Sequence, residues 1–447
     1  ALINAGRFFI KNNKFWCCQW LTVVEFFFNN VVLTKNKKMN NLLTIKGITC
    51  AAINAGIKNA QKSSANSNPK DDEKLDLSIV SFASETETAA VFTQNVFCAA
   101  PVVVAKNHLN NSVRALVINS GNANAGTGLG SGGGGLDNAY RVCELVAKKL
   151  GIKAEEVLPF STGVIGQPLP MQCFVDNIAT LSAQLSADKL PQVAQAILTT
   201  DLVEKTCSKQ FEIKGKTVSI TGIAKGSGMI RPDMATMLSF IFTDVKATQN
   251  ELQRCLTQAV NQSFNRITVD GDTSTNDACT LSATGTSGVD IADCTEAFQN
   301  ALNEVSQTLA HKIIQDGEGA TKFVEICVKG GATTKDCLEV AYTVAHSPLV
   351  KTALFASDAN WGRILAAVGR ANIADLKVGD VGIYLGEVCL IKNGELNANY
   401  TEEMGCVEMA KKEIVITIEI GKNNTSESVW TTDLSYDYIK INAEYRT

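Results

Sequence analysis

The sequence predicts a layered α/β protein, and three observations carry that prediction. From residue 43 onward, short apolar runs rich in β-branched residues alternate with amphipathic stretches of helical period. Gly, Asp and Asn punctuate the runs. Hydrophobic residues make up 45% of the chain and charged residues 19%, an ordinary globular balance. A chain of 447 residues exceeds the length at which one core stops growing, so roughly two or three domains are expected. In chain order, residues 113–119 (VRALVIN) read as a buried strand. Residues 136–150 read as a helix carrying Val142, Leu145, Val146 and Leu150 on one face. Residues 237–243 form the next strand. Residues 251–264 then place Leu252, Cys255, Leu256, Ala259 and Val260 at helical spacing, and Phe298, Ala301, Leu302, Val305 and Leu309 repeat the pattern. Strands follow at 323–328, 381–385 and 414–420. The polar, Pro-containing run 61–74 reads as a surface loop, and no internal repeat is visible.

Composition narrows the chemistry. A net charge of -4, without a dense Lys/Arg stripe, excludes a nucleic-acid surface and leaves small-molecule chemistry as the default. The 14 Cys residues are scattered, with no C-x-x-C pair and no zinc spacing, so no metal site is expected and most read as buried thiols in a reducing compartment. His108, His311 and His346 are the only histidines, which weakens a Ser-His-Asp hydrolase.

Residues 1–38 stand apart. The apolar stretch 15–28 (FWCCQWLTVVEFFF) is shorter than a bilayer span and contains Glu25, so no membrane helix is expected. Basic residues flank it, as they would in a transit or signal peptide leading to organellar import, but no small-residue cleavage site is evident. We therefore read residues 1–38 as an extension of doubtful relevance, Met39 as the start of the working chain, and the protein as cytoplasmic.

The run 222–238 (GIAKGSGMIRPDMATML) sets a glycine-rich loop, a proline, small Ala235 and hydroxyl-bearing Thr236 at the mouth of a strand. Such an order suits backbone self-cleavage, in which the Thr236 hydroxyl attacks the Ala235 carbonyl. The freed α-amine would titrate at about 7.7–8.0, so it could serve as general base for its own hydroxyl. Local pattern alone favours Thr236 as a strand-opening threonine.

Other runs are similar to one known family. The stretch 222–244 resembles the self-cleavage region of the ornithine acetyltransferases, whose precursors are cut before the Thr of an A-T-M-L sequence. The runs ALVINSGNANAGTG (115–128), STGVIG (161–166), SFNRITVDGDTSTND (263–277), SPLVKTA (347–353), SDANWGRILAAVG (357–369) and the tail 431–447 resemble family segments in the family's order. The resemblance implies a helix-sheet-sheet-helix, N-terminal-nucleophile-like fold shared with related aminopeptidases. It also implies an α chain of residues 39–235 and a β chain of 236–447 that remain associated, as an α2β2 assembly.

The implied site takes Thr236 as nucleophile and the pair Thr162 and Gly163 as oxyanion hole. Substrate-binding positions carry over onto Thr199, Lys225, Thr236, Glu318, Asn442 and Thr447. Lys225 suits the α-carboxylate of N-acetylornithine or glutamate, Glu318 the cationic δ-amine of ornithine, and Asn442 and Thr447 neutral hydrogen bonds. The implied reaction passes the acetyl group of N-acetylornithine to Thr236 and then to glutamate, with no cofactor, acetyl-CoA being a candidate second donor. Two alternatives stay open. One is an N-terminal-threonine aminopeptidase that passes the acyl group to water. The other is nucleotide binding by the run GLGSGGGG (128–135), where Gly128, Gly130 and Gly133 match G-x-G-x-x-G but no acidic residue ends a second strand about twenty positions on.

Overall fold

The computed structural model describes residues 42–60, 73–129, 134–231, 237–374 and 376–444. Strands β1 (Ile48–Ile53), β2 (Leu77–Phe82) and β3 (Glu87–Phe92) precede helix α1 (Ala100–His108), strand β4 (Ala115–Asn122), helix α2 (Gly135–Leu150) and strand β5 (Val157–Val164). Helices α3 (Met171–Ala183) and α4 (Leu190–Ala196) lead to strands β6 (Lys205–Ile213), β7 (Lys216–Lys225) and β8 (Leu238–Thr243). Helix α5 (Gln249–Gln262), strands β9 (Ile267–Thr268) and β10 (Ala278–Ala283) and the long helix α6 (Thr295–Gln315) follow.

Two sheets lie face to face. One has the order β1-β2-β4-β5 and the other β3-β10-β8-β7-β6. The two-residue period of a strand explains the layering. In β4, Leu116 and Ile118 join a core with Leu238, Phe240 and Phe242 of β8, whereas Ala115 and Val117 pack against residues of α1, α2 and α3. On the far side of β8, Ile241 meets the apolar faces of α5 and α6. Helices, sheet, sheet and helices are therefore stacked in the order the family resemblance implies. Gly222 of β7 is required by this packing, because a Cβ there would collide with Leu309 and Val305 of α6.

Residue 235 is not a folding boundary. In the second sheet β7, before the expected cut, pairs antiparallel with β8 after it, and β3 pairs with β10. The two halves of the chain share one hydrogen-bonded layer.

The remaining elements build a second layer pair. They are β11 (Phe323–Lys329), α7 (Thr334–Ala345), α8 (Pro348–Phe355), α9 (Trp361–Gly369), β12 (Gly382–Leu385), β13 (Val388–Lys392), β14 (Glu395–Leu396), α10 (Glu402–Met409), β15 (Glu413–Glu419), β16 (Ser426–Thr432) and α11 (Tyr436–Ala443). Their seven-stranded sheet, β14-β13-β12-β15-β11-β16-β9, buries Val324, Ile326 and Val328 against α7, α8 and α9. Short β9 belongs to the stretch that runs on toward the functional site.

Some boundaries differ from the sequence reading for identifiable reasons. Helix α5 begins two residues early because Thr248 caps it and exchanges hydrogen bonds with Glu251, a capping box. The strand expected to end at residue 119 continues to Asn122, since its polar end is paired with β5 through a bulge. Helix α2, read from residue 136, opens one residue earlier at Gly135, where a Cβ would collide with Thr127 and Asn124. Of the described cysteines six are buried, five half-buried and one, Cys406, exposed, so fewer are buried than expected.

Candidate active site

The site grows from the polar ends of β4 and β5. Thr162 and Gly163 lie near the end of β5, beside the bulge at Gly121 and Asn122. Gly163 has φ +128°, and a Cβ there would strike the backbone of Gly121 and Asn122. Buried amides hold the turn in place. Asn119 Nδ2 donates to Asn122 O at 2.8 Å, and Ser161 Oγ donates to Asn119 Oδ1 at 2.6 Å. Asn276 Nδ2 bridges Ala123 O at 2.7 Å and Ser161 O at 2.9 Å, stitching the turn to the segment before β10. An unpaired buried amide would cost more than it contributes, so each partner restricts this backbone to one conformation.

Beside the turn stands Lys225, the last residue of β7, with 5% of its surface exposed. Its Nζ donates to Thr162 Oγ1 at 3.3 Å and lies 4.0 Å from Asp201 Oδ2. Lys205 Nζ, fully buried, sits 2.5 Å from both Asp201 and Asp316. Backbone N–H groups complete the arrangement: Gly226 N and Thr199 N donate to Asp201, and Leu202 N and Val203 N to Asp316. Burial works to raise the Asp201 carboxyl, but Lys225 and Lys205 outweigh it and hold the group at about 2. Burial lowers the Lys225 ammonium, and Asp201 is the strongest force against that.

Opposite lies Glu318, whose carboxylate accepts from Asn442 Nδ2 of α11 at 2.8 Å. Its backbone N–H donates to Ser227 O, and its carboxylate lies so close to Gly228 that any Cβ there would collide with it. Asp433 clamps the following loop by accepting from the N–H groups of Thr321 and Lys322, and Ser435 Oγ donates to Gly319 O. Asp270 secures the segment upstream of residue 232, accepting from Met229 N at 2.6 Å, Ile230 N at 3.0 Å and the Tyr438 hydroxyl at 3.2 Å.

Thr162, Gly163, Thr199, Lys225, Glu318 and Asn442 all line one cavity of about 250 Å³. Six positions spread over 281 residues thus converge on a space that suits a small amino-acid derivative. Ala235, Thr236 and Thr447 lie outside the described residues, as do Gly130 and Gly133 of the glycine run. Leu238, the first residue of β8, is in register with Lys225.

Sequence reasoning passed over Asp201, Lys205, Asp316, Asn276 and Asp270. Asp201 stands next to the TT of the segment that supplied Thr199, and Asn276 sits inside the quoted TSTND run, but nothing local says that either is buried. The histidines have structural places: His108 Nδ1 bonds Val157 O, the His311 ring packs tilted against Trp430, and His346 Nε2 meets Thr268. Among the described residues no group of His, Cys, Asp and Glu could hold a metal ion, and no helix is long and apolar enough to cross a membrane.

Comparison with known proteins yields close relatives. The ArgJ family profile matches residues 56–447. The arginine biosynthesis bifunctional protein ArgJ of Pseudomonas syringae pv. tomato is 50% identical over 381 residues, 84% of this chain and 93% of its own. Its counterpart from Psychrobacter arcticus is 47% identical over 409 residues, 90% of this chain and 97% of its own. A crystal structure of the Bacillus halodurans protein of that name is 37% identical and covers 47% of this chain and 100% of its own, with a TM-score of 0.45.

Proposed function

The chain belongs to the ArgJ family, and from that premise we propose how its cavity carries out the chemistry. The enzyme is a glutamate N-acetyltransferase of arginine biosynthesis: it moves the acetyl group of N2-acetylornithine to glutamate, giving ornithine and N-acetylglutamate. The reaction runs through Thr236. Attack of its hydroxyl on the Ala235 carbonyl turns the peptide into an ester, and water then releases residues 39–235 as an α chain and 236–447 as a β chain. The exposed α-amine takes the proton from the Thr236 hydroxyl as that oxygen attacks the acetyl carbonyl. Collapse of the tetrahedral intermediate expels ornithine, whose α-nitrogen recovers the proton. Glutamate's α-amine then attacks the acetyl-threonine ester and regenerates the enzyme.

One observation carries this assignment: a single small cavity presents an ammonium at Lys225, a carboxylate at Glu318 and the hydroxyl and backbone turn of Thr162 and Gly163. N2-acetylornithine offers the complementary set, an α-carboxylate, a δ-ammonium and a carbonyl that becomes an oxyanion. Lys225 pairs with the carboxylate, Glu318 with the δ-ammonium, and Thr162 with Gly163 receives the oxyanion. Thr199 and Asn442 line the same space, and the family resemblance supports Thr447 as a further substrate contact.

The shared layer of β7 and β8 supports continued association of the two fragments, and we assign an α2β2 assembly working in the cytoplasm. No cofactor is required, and the bifunctional character named for the relatives supports acetyl-CoA as a second acetyl donor. The test is incubation of purified enzyme with N2-acetylornithine and glutamate. N-acetylglutamate and an acetyl group on the fragment beginning at Thr236 are expected. Free acetate alone would instead establish the hydrolase alternative, and an active, uncut chain by intact mass would exclude the whole scheme.

A further inference from the structure

We propose that Asp201 is a positioning residue for acetyl transfer, acting through the Lys225 ammonium to aim the Thr162 hydroxyl at the developing oxyanion. The inference rests on the assignment of Thr162 to the oxyanion hole and extends it to a group that does not touch substrate.

A hydroxyl stabilises an oxyanion only when its hydrogen points there, and a threonine hydroxyl rotates to suit its neighbours. The neighbour here is Lys225 Nζ, 3.3 Å from Thr162 Oγ1. An ammonium has three N–H donors and no lone pair, so the contact has one possible direction: Lys225 donates and Thr162 accepts. The Thr162 hydrogen is turned away and remains free for the cavity. A neutral amine would reverse the bond, because its lone pair would accept that hydrogen and withdraw it from the oxyanion. The charge on Lys225 therefore acts as a direction switch for the catalytic hydroxyl.

Nothing about the position of Lys225 favours its charge except its neighbours. It is buried at the end of β7, where an isolated ammonium is disfavoured. The charged groups that face it are Asp201, Asp277 and Glu318 of opposite sign, and Lys205 and Lys58 of like sign. Asp201 is the strongest of these influences, with a side chain that is fully buried and 4.0 Å away. Lys205 would spoil the effect by drawing on the same carboxylate, but Asp316 balances it from the other side at 2.5 Å. The row Asp316, Lys205, Asp201, Lys225 thus alternates in sign and ends beside Thr162 at the cavity. Gly226 N and Thr199 N fix the Asp201 carboxylate in place at 2.7 and 3.0 Å.

The experiment is the pH profile of kcat for acetyl transfer from N2-acetylornithine to glutamate, in the wild type and in Asp201→Asn. Asparagine keeps the size and an acceptor oxygen for Gly226 N but removes the charge. Loss of an opposite charge at this range moves a titration by about one unit or more. The alkaline limb of kcat is therefore expected to fall by about one pH unit or more in the variant. A second variant, Lys205→Met, removes the like charge that shares the Asp201 carboxylate and is expected to raise the alkaline limb. It serves equally if Asp201→Asn fails to fold or to cut. An alkaline limb that stays at the wild-type pH in Asp201→Asn, even with kcat reduced, gives Asp201 a merely structural role, and one that stays there in Lys205→Met shows that the limb does not follow the Lys225 charge; either result overturns the inference. Absence of transfer in the wild type would instead overturn the assigned function.

Discussion

A matched pair of glycine substitutions isolates the part that the oxyanion turn plays. Gly163 and Gly166 lie three residues apart and both have positive φ, +128° and +81°. They differ in surroundings: a Cβ on Gly163 would meet the backbone of Gly121 and Asn122, whereas one on Gly166 would meet nothing within 4 Å. Gly166→Ala therefore carries only the cost of a positive φ, about 1 kcal/mol. Gly163→Ala adds a collision with backbone, which cannot swing aside as a side chain can, so β4 and β5 must separate locally and carry the Gly163 N–H with them. Displacement of a catalytic donor by about 1 Å costs roughly 10²-fold in rate, and loss of one oxyanion donor roughly 10²–10³-fold. We expect Gly166→Ala to keep near wild-type kcat with a Tm lowered by a few degrees. Gly163→Ala should lose at least about 10²-fold in kcat with a larger fall in Tm. Both are read by acetylglutamate formation and by thermal unfolding. Wild-type turnover in Gly163→Ala would refute the assignment of this turn to the oxyanion.

Other substitutions address the nucleophile, the substrate contacts, the core and the pH range. Thr236→Ala should leave an uncut, inactive chain by intact mass, while Thr236→Ser should still cut, more slowly. Glu318→Gln removes the partner of the δ-ammonium, a charged hydrogen bond of about 1.5–3 kcal/mol, so kcat/KM for N2-acetylornithine should fall about 10–100-fold. The KM for glutamate, whose side chain is anionic, should not rise in that variant. Leu309→Ala empties fully buried space above Gly222 and should cost about 2–5 kcal/mol in urea unfolding. Burial chiefly, with Arg231 adding to it, pushes His346 down to about 4, so the folded protein holds it neutral where the unfolded chain, near 6.5, is already taking up a proton. Its contribution is present above about 6.5 and is lost as pH falls toward 4, and His346→Gln should flatten that part of a Tm-versus-pH curve.

Period and punctuation located most of the framework. The face Leu252, Cys255, Leu256, Ala259 and Val260 is the buried face of α5, and the expected strands near 237, 323, 381 and 414 all form. Strand β4 was cut short at residue 119 because hydropathy ends there, yet Ser120, Gly121 and Asn122 continue the ladder to Thr162 and Gly163. Their polar groups are satisfied inward by Ala196 O, Gln167 O and Pro168 O, partners up to 76 residues away. The same blindness hid Asp201, Lys205 and Asp316. By residue type they belong at a surface, and burial is affordable only because each neutralises the next.

The sequence by itself determined the layered α/β class, the helical and strand periods, and, through its resemblance to one family, a set of candidate site residues. Tertiary structure alone decided that Thr162, Thr199, Lys225, Glu318 and Asn442 share a cavity, that Lys225 is buried, and that an alternating row of charges stands behind it. The reason is physical. Periodicity records which face of each element is apolar, whereas the environment of a polar side chain is set by groups hundreds of residues away and appears only once the layers close.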